Sequence, residues 1–295
     1  MPNWKKMPRK KRTRPRRPRP WWKRPPAVFS AGLGLFVLGF LALHFSKRPK
    51  LDRNWVQYGE TIPYAEVAGN TVTIHNFRDF EWAPRMPLEI EKARYLTRTV
   101  SLDELEGVWF VKEDFPNFDG FAHTLLSFEF AGGEYVCLSV EARREIGESY
   151  SGWQGLWRKY ELMYLAGTER DFIGRRLFVQ DADVFLYPVK IGEAESRALF
   201  LSMIERMNAL REEPEFYNTL FSNCTNNLYR HAESATDVLI PVTWNTVLTG
   251  YSDKTGYEMG ILPNDLPFEQ NRLRYKIDPR VTSLGDPLFS EKIRE

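Results

Sequence analysis

The chain has 295 residues with 43% hydrophobic and 14% aromatic content, enough to bury one full domain core with appendages, so a wholly disordered protein is excluded. A net charge of +2 conceals an asymmetry. Twelve of the 41 Lys and Arg fall in the first 26 residues with no acid among them, while the remainder carries 29 against 39 acids, a net of −10.

The basic segment 1–26, with its interleaved prolines, has too little apolar surface to fold and reads as a disordered tail. A nucleic-acid arm is set aside because a long apolar stretch comes directly after the tail. Residues 27–45 are 19 residues without a formal charge, which as a helix span roughly 28 Å, close to a bilayer hydrocarbon core. They lack a clear small-x-small cleavage site, so an uncleaved transmembrane helix is expected. The charge excess on the amino side predicts a cytoplasmic N-terminus, with Trp21 and Trp22 at the inner interface. The rest of the chain is then expected outside the cytoplasm: a linker and N-terminal lobe over 46–100, a core domain over 101–250 and a loop-rich wrapping tail over 251–295.

Within the first lobe, Val72, Ile74 and Phe77 predict a short strand after a Gly-Asn turn, and Asn76, Arg78 and Asp79 read as turn chemistry with a surface ion pair. Residues 94–111 predict a strand, a Ser101-capped turn and a second strand. His123–Phe130 and Glu134–Glu141 predict a hairpin around Ala131-Gly132-Gly133. A three-residue loop puts Leu126, Phe128 and Phe130 with Val136, Leu138 and Val140 on one apolar face. It also sets His123 across from Glu141, a carboxylate that would fix the imidazole tautomer and raise its basicity.

The aromatic stretch 147–164, with Trp153 and Trp157, is expected to line a groove or to belong to the core. Residues 183–189 predict a strand. Residues 193–212 predict an amphipathic helix with Ala194, Ala198, Leu201, Ile204, Met207 and Leu210 at helical spacing. In Tyr217–Leu228 a loop runs into a helix capped by Ser222 or Asn223, which places Cys224 in the first turn, where the partial positive charge of the helix favours thiolate. A buried structural thiol, or a Cys137–Cys224 disulfide, remains the alternative.

Of the four histidines, His231 is two turns from Cys224 on the same helix, His44 lies at the end of the apolar stretch and His75 is in the preceding lobe. His123 remains. An activated thiol with an imidazole and an acid behind it performs acyl transfer through a thioester. The Cys224 backbone N–H, with Asn218 or Asn223, could serve the oxyanion. No closely spaced ligand cluster predicts a metal and no phosphate-binding glycine loop predicts a nucleotide, so no cofactor is expected.

Asn76-Phe77-Arg78-Asp79-Phe80, Phe121 to Phe128, Val140 to Glu145, Tyr160 to Tyr164 and Tyr217 to Thr225 together resemble the Lnb N-terminal periplasmic domain family. That family is similar to circularly permuted, papain-like NlpC/P60 thiol enzymes. The resemblance implies an α+β fold with an antiparallel sheet and a Cys-bearing helix. It implies His123 and Cys224 as a catalytic pair, with Glu141 as a third candidate, in a periplasmic domain; with the single apolar stretch this gives a single-pass bacterial inner-membrane protein. It further implies acyl transfer from phospholipid to a lipoprotein N-terminus; in such an enzyme the aromatic segment around Trp153 and Trp157 is expected at the lipid interface. A cysteine peptidase or amidase acting on cell-wall peptide, and an envelope scaffold, are the competing readings.

Overall fold

The structure is a computed structural model that describes the backbone of residues 25–115, 120–241, 243 and 248–295, and side chains from residue 30 onward. Most of the basic tail, with Trp21 and Trp22, lies outside the described residues. The apolar stretch falls in helix α1 (Pro25–Ser46), which belongs to a unit of its own; residues Arg48–Glu295 form a second compact unit. Among the described residues no helix is long and apolar enough to cross a membrane.

The second unit begins with a turn of helix, α2 (Gln57–Glu60), and the hairpin β1 (Tyr64–Ala68) and β2 (Thr71–Arg78). A two-stranded sheet comes next, β3 (Glu81–Trp82) with β4 (Ile90–Lys92). Then come β5 (Tyr95–Ser101), β6 (Leu105–Asp114), β7 (Ala122–Phe130), β8 (Glu134–Arg143), α3 (Gly152–Gly155) and β9 (Glu161–Gly167). A π-helical segment Arg170–Gly174 runs into α4 (Arg175–Phe178), before β10 (Val184–Pro188), α5 (Glu193–Glu212) and α6 (Cys224–Ala235). The large sheet has the order β1-β2-β9-β8-β7-β6-β10, with β5 also on β2. The lobe expected over 46–100 is therefore not set apart, because β1, β2 and β5 extend the sheet of the central strands.

The sheet is mixed rather than antiparallel throughout, since β2 meets β9 in parallel at Arg78 and Gly167. A Cβ at Gly167 would lie 2.7 Å from the Arg78 carbonyl oxygen, so only glycine lets the two strands approach there. The β7–β8 hairpin has the register expected from its polarity: Leu126 faces Leu138 and Phe128 faces Val136 across a three-residue loop. Slipping it by one residue would turn every core side chain to the other face.

One face of the sheet, with Leu126, Phe128 and Leu138, is covered by α5 and by Leu228 of α6. The helix α5 has the expected limits, but its buried stripe is Leu199, Phe200, Met203, Ile204, Met207 and Leu210. The stripe is turned from the predicted one because Phe200 packs edge-on against both Phe128 and Phe130. The other face, with Leu125, Cys137 and Leu165, packs on Phe172, Ile173 and Leu177 and on Ile277, Phe289 and Ile293. The C-terminal segment thus supplies core, and it carries short helices at Ser252–Glu258, Phe268–Arg274 and Phe289–Lys292 rather than loop alone.

Arg78 and Asp79 correct another expectation. Arg78 is buried, pairs with Asp171 through Nε and Nη2 at 3.0 and 2.6 Å, and lies over the Phe80 and Phe172 rings. Asp79 is buried too and receives Arg94 and Arg170. The pairing tethers the sheet edge to the π-helical segment, and partners so remote in sequence leave no local signal. Asn76 adopts a left-handed φ of 57° where the register of β2 with β5 shifts.

Candidate functional site

Helix α6 begins as its sequence dictates. The Asn223 Oδ1 accepts from the Asn226 backbone N–H at 2.8 Å, which makes Asn223 the N-cap and Cys224 the first helical residue. The Asn223 Nδ2 donates to the Thr219 carbonyl at 2.8 Å, locking the approach loop onto the helix. Asn218 is used within the same loop: its Oδ1 accepts from Leu220 and Phe221 N–H at 3.0 Å each. Both amides proposed for an oxyanion are therefore engaged in shaping the backbone, and only Asn223 lines the cavity. The Cys224 backbone N–H lies in the first helical turn, where such donors lack an intrahelical acceptor.

Thr124 of β7 meets Thr225 of α6 at 3.0 Å between hydroxyls, which fastens the helix start against the strand that carries His123. Cys224 and His123 line the same cavity, and each shifts the titration of the other. The thiol also lies 3.9 Å from the Ala122 carbonyl oxygen. Both cysteines are free, so the Cys137–Cys224 disulfide does not form.

Behind His123 stands the expected acid. Its Nε2 lies 3.2 Å from Glu141 Oε1 and 2.9 Å from Ser139 Oγ, and the Ser139 hydroxyl donates to the same carboxylate oxygen at 2.8 Å. With Nε2 facing Ser139 and Glu141, Nδ1 is the nitrogen left for the thiol. Arg176, from α4, joins Glu141 at 3.4 Å and Glu113 at 2.5 Å. Sequence spacing indicated His123 and Glu141 but not Ser139, Thr124 or Arg176. Arg176 comes from the segment that follows β9 in the chain and is brought by the fold to Glu113 of β6 and Glu141 of β8.

The electrostatics follow from these contacts. Burial alone would lower the His123 pKa, but Glu141, aided by Cys224, outweighs it and raises the imidazole to about 9. Burial would likewise push the Cys224 thiol up. The His123 charge and hydrogen bond, with donors from Thr124, bring it below the ordinary thiol value instead. Glu141 is held well below the usual carboxylate range by His123 and Arg176 against the burial that opposes ionisation. These shifts favour a thiolate–imidazolium pair.

The pair opens onto a cavity of about 180 Å³. Its walls include Phe115, Phe121 and Val140, and two further lining residues, Tyr150 and Tyr217, approach each other at 3.2 Å between hydroxyls. Trp153 and Trp157 are not among the lining residues. They form an exposed T-shaped pair with centroids 5.5 Å apart, Trp153 being 68% exposed. His231, on the back of α6, is buried between Tyr164 Oη and Ser202 Oγ at 2.7 Å each, and His75 stacks on Tyr64. Among the described residues no cluster of His, Cys, Asp or Glu could hold a metal ion.

Fold and site together define an α+β domain in which a helix-start thiol and a strand imidazole meet at the end of a mixed sheet. The chain belongs to the Lnb N-terminal periplasmic domain family, whose model matches residues 91–250, more than half its length. Its membership makes this a periplasmic domain of a membrane-associated protein. No curated protein and no solved structure matches the chain.

Proposed function

We propose that this domain is a thiol acyltransferase or hydrolase working through a thioester on Cys224. The observation that carries the reading is an imidazole that shares one cavity with a thiol of lowered pKa and pairs with the Glu141 carboxylate. The Cys224 thiolate attacks an ester or amide carbonyl, a C–S bond forms, and the negative charge on oxygen is met by the helix-start N–H. The His123 imidazolium then gives its proton to the leaving oxygen or nitrogen as that bond breaks. An amine or water attacks the thioester, His123 takes the incoming proton, and the thiolate is released.

The order of the parts, imidazole strand before thiol helix, fits a circularly permuted papain-like (NlpC/P60-like) arrangement. The uncharged stretch 27–45 within α1 is read as the single inner-membrane anchor, and the basic residues before it favour a cytoplasmic N-terminus. A tether of this kind confines the cavity near lipid and raises the effective concentration of a membrane substrate. The substrates proposed are a phospholipid acyl donor and a lipoprotein N-terminus as acceptor. The full chain in detergent micelles containing a phospholipid of defined acyl length should gain one acyl mass on the Cys224 peptide. The adduct should be labile to hydroxylamine and absent from Cys224→Ala. Cleavage of cell-wall peptide fragments with no lipid-derived adduct would replace acyl transfer with an amidase.

A further inference from the structure

Two arginines stand side by side at the start of α4, and both line the cavity shared by His123 and Cys224. Their circumstances differ. Arg176 is fully engaged, by Glu113, by Glu141 and by the Phe172 carbonyl. Arg175 has a buried Nε with no hydrogen-bond partner, and among the described residues its guanidinium makes no ion pair; it rests on the Trp82 ring at 5.0 Å.

The charges lining the cavity do not balance. Three guanidiniums, Arg144, Arg175 and Arg176, face two carboxylates, Glu113 and Glu141. Arg176 occupies both carboxylates, and Arg144 donates to Tyr58 Oη at 2.7 Å and to the Glu148 carbonyl. The His123–Cys224 pair adds no net charge. One positive charge, at Arg175, is left half-buried and, among the described residues, without an ion-pair partner, beside walls of largely apolar character. Burial and the neighbouring Arg176 lower its pKa to about 10 against the opposing pull of Glu141 and Glu113, so it still carries its proton at neutral pH. A half-buried guanidinium with an orphaned Nε gains from a counter-charge, and the forked donors of arginine suit a carboxylate or phosphate bidentately.

The geometry points to Arg175 as the seat of a single oxyanion carried by an apolar substrate, either a phosphodiester or a carboxylate attached to hydrocarbon. The assignment deepens the acyl-transfer reading, on which it rests for the claim that the ligand of this cavity is a substrate. Seated there, the anion fixes where along the molecule the scissile carbonyl meets Cys224. Arg175 is a binding residue in this scheme and takes part in no proton transfer.

The test is calorimetric binding to the full chain carrying Cys224→Ala, in a neutral detergent, so that no turnover intervenes. Three probes are used: dioctanoyl phosphatidylglycerol, decanoate and the uncharged dioctanoylglycerol. At least one anionic probe should bind about tenfold or more tightly than the neutral one, and whichever anion is preferred identifies the source of the oxyanion. Arg175→Gln should weaken that probe by about ten- to a hundredfold while leaving dioctanoylglycerol within about twofold. Arg175→Lys, which keeps the charge and can still lie over Trp82, should weaken the anion alone by about five- to tenfold, and it is read in place of Arg175→Gln if that variant does not fold. Equal affinity for charged and neutral probes, or equal losses of both on substitution, would overturn the assignment and leave Arg175 a brace for Trp82. An Arg175-dependent anion preference without any acyl adduct on wild-type Cys224 would remove the acyl-transfer reading and leave the binding site standing. An adduct forming with no dependence on Arg175 would do the reverse.

Discussion

Cys224 and Cys137 are both buried and both free, yet their thiols move in opposite directions. Burial pushes Cys137 well up, and Glu169 nearby adds to the effect. At Cys224 the same burial is outweighed by His123. The two buried histidines of the domain divide in the same way: His123, against Glu141, is raised to about 9, whereas burial together with Arg206 and Arg230 lowers His231 to about 4. Burial is common to all four groups. What separates them is the charge that the fold brings alongside, and among the described residues thiol, imidazole and carboxylate arrive together only at the start of β7.

The most severe way to break this contrast is to exchange the thiols. Cys224→Ala should reduce acyl transfer by at least about 10³-fold, as expected for loss of a covalent nucleophile, while Cys137→Ala should leave it within about twofold. The adduct assay reads both. Next are the imidazoles. His123→Gln should slow alkylation of Cys224 by iodoacetamide at pH 6 by about ten- to a hundredfold, because the thiolate loses its counter-charge. His231→Gln should leave that rate unchanged and instead destabilise the domain by about 1–3 kcal/mol through its broken bonds to Tyr164 and Ser202, measured by denaturant unfolding.

A smaller effect should appear in the pH dependence of stability, with opposite signs for the two histidines. His123 is raised in the fold, so its contribution is fully present below about pH 6.5 and is lost as pH rises through about 9. His231 is depressed, so the unfolded chain takes up the proton first and stability falls as pH drops from about 6.5 towards 4. Plots of Tm against pH should therefore change by a few degrees in each arm. His123→Gln should flatten the alkaline arm and His231→Gln the acid arm. Titration of the imidazole resonances, with midpoints near 9 and near 4, checks the assignment directly.

Much of this contrast is legible in the sequence, and what is not has a common cause. The hairpin register follows from a period-2 pattern that admits one polar face, and His123 and Glu141 fall on it together. The helix start at Cys224 follows from Asn223, a residue whose side chain competes for the first backbone donors. Both are local rules. Arg176, Arg175 and the Arg78–Asp171 pair depend on contacts between segments tens of residues apart, and a charged residue near a short helix looks like any solvated one until β9 and α4 are packed. The parallel contact of β2 with β9 is equally silent, since it consists of one residue pair at a glycine. The aromatic stretch 147–164 divides: Tyr150 lines the cavity together with Tyr217, whereas Trp153 and Trp157 lie outside its lining and are exposed.

The finest division concerns whether the helix or the imidazole prepares the thiol. A helix start contributes about 0.3–1 kcal/mol to a nearby negative charge, no more than about fivefold in reactivity, whereas the His123 contact is expected to supply more. Asn223→Ala removes the cap to Asn226 and the bond to the Thr219 carbonyl, and should lower stability by about 1–2 kcal/mol. Asn223→Ser, which keeps a capping oxygen, should recover part of this. If His123 dominates, Cys224 alkylation in Asn223→Ala changes by no more than about fivefold, well short of the loss in His123→Gln. A slowing beyond about tenfold with His123 still titrating near 9 would show that the ordered first turn of α6, and not the charge across from it, makes Cys224 differ from Cys137.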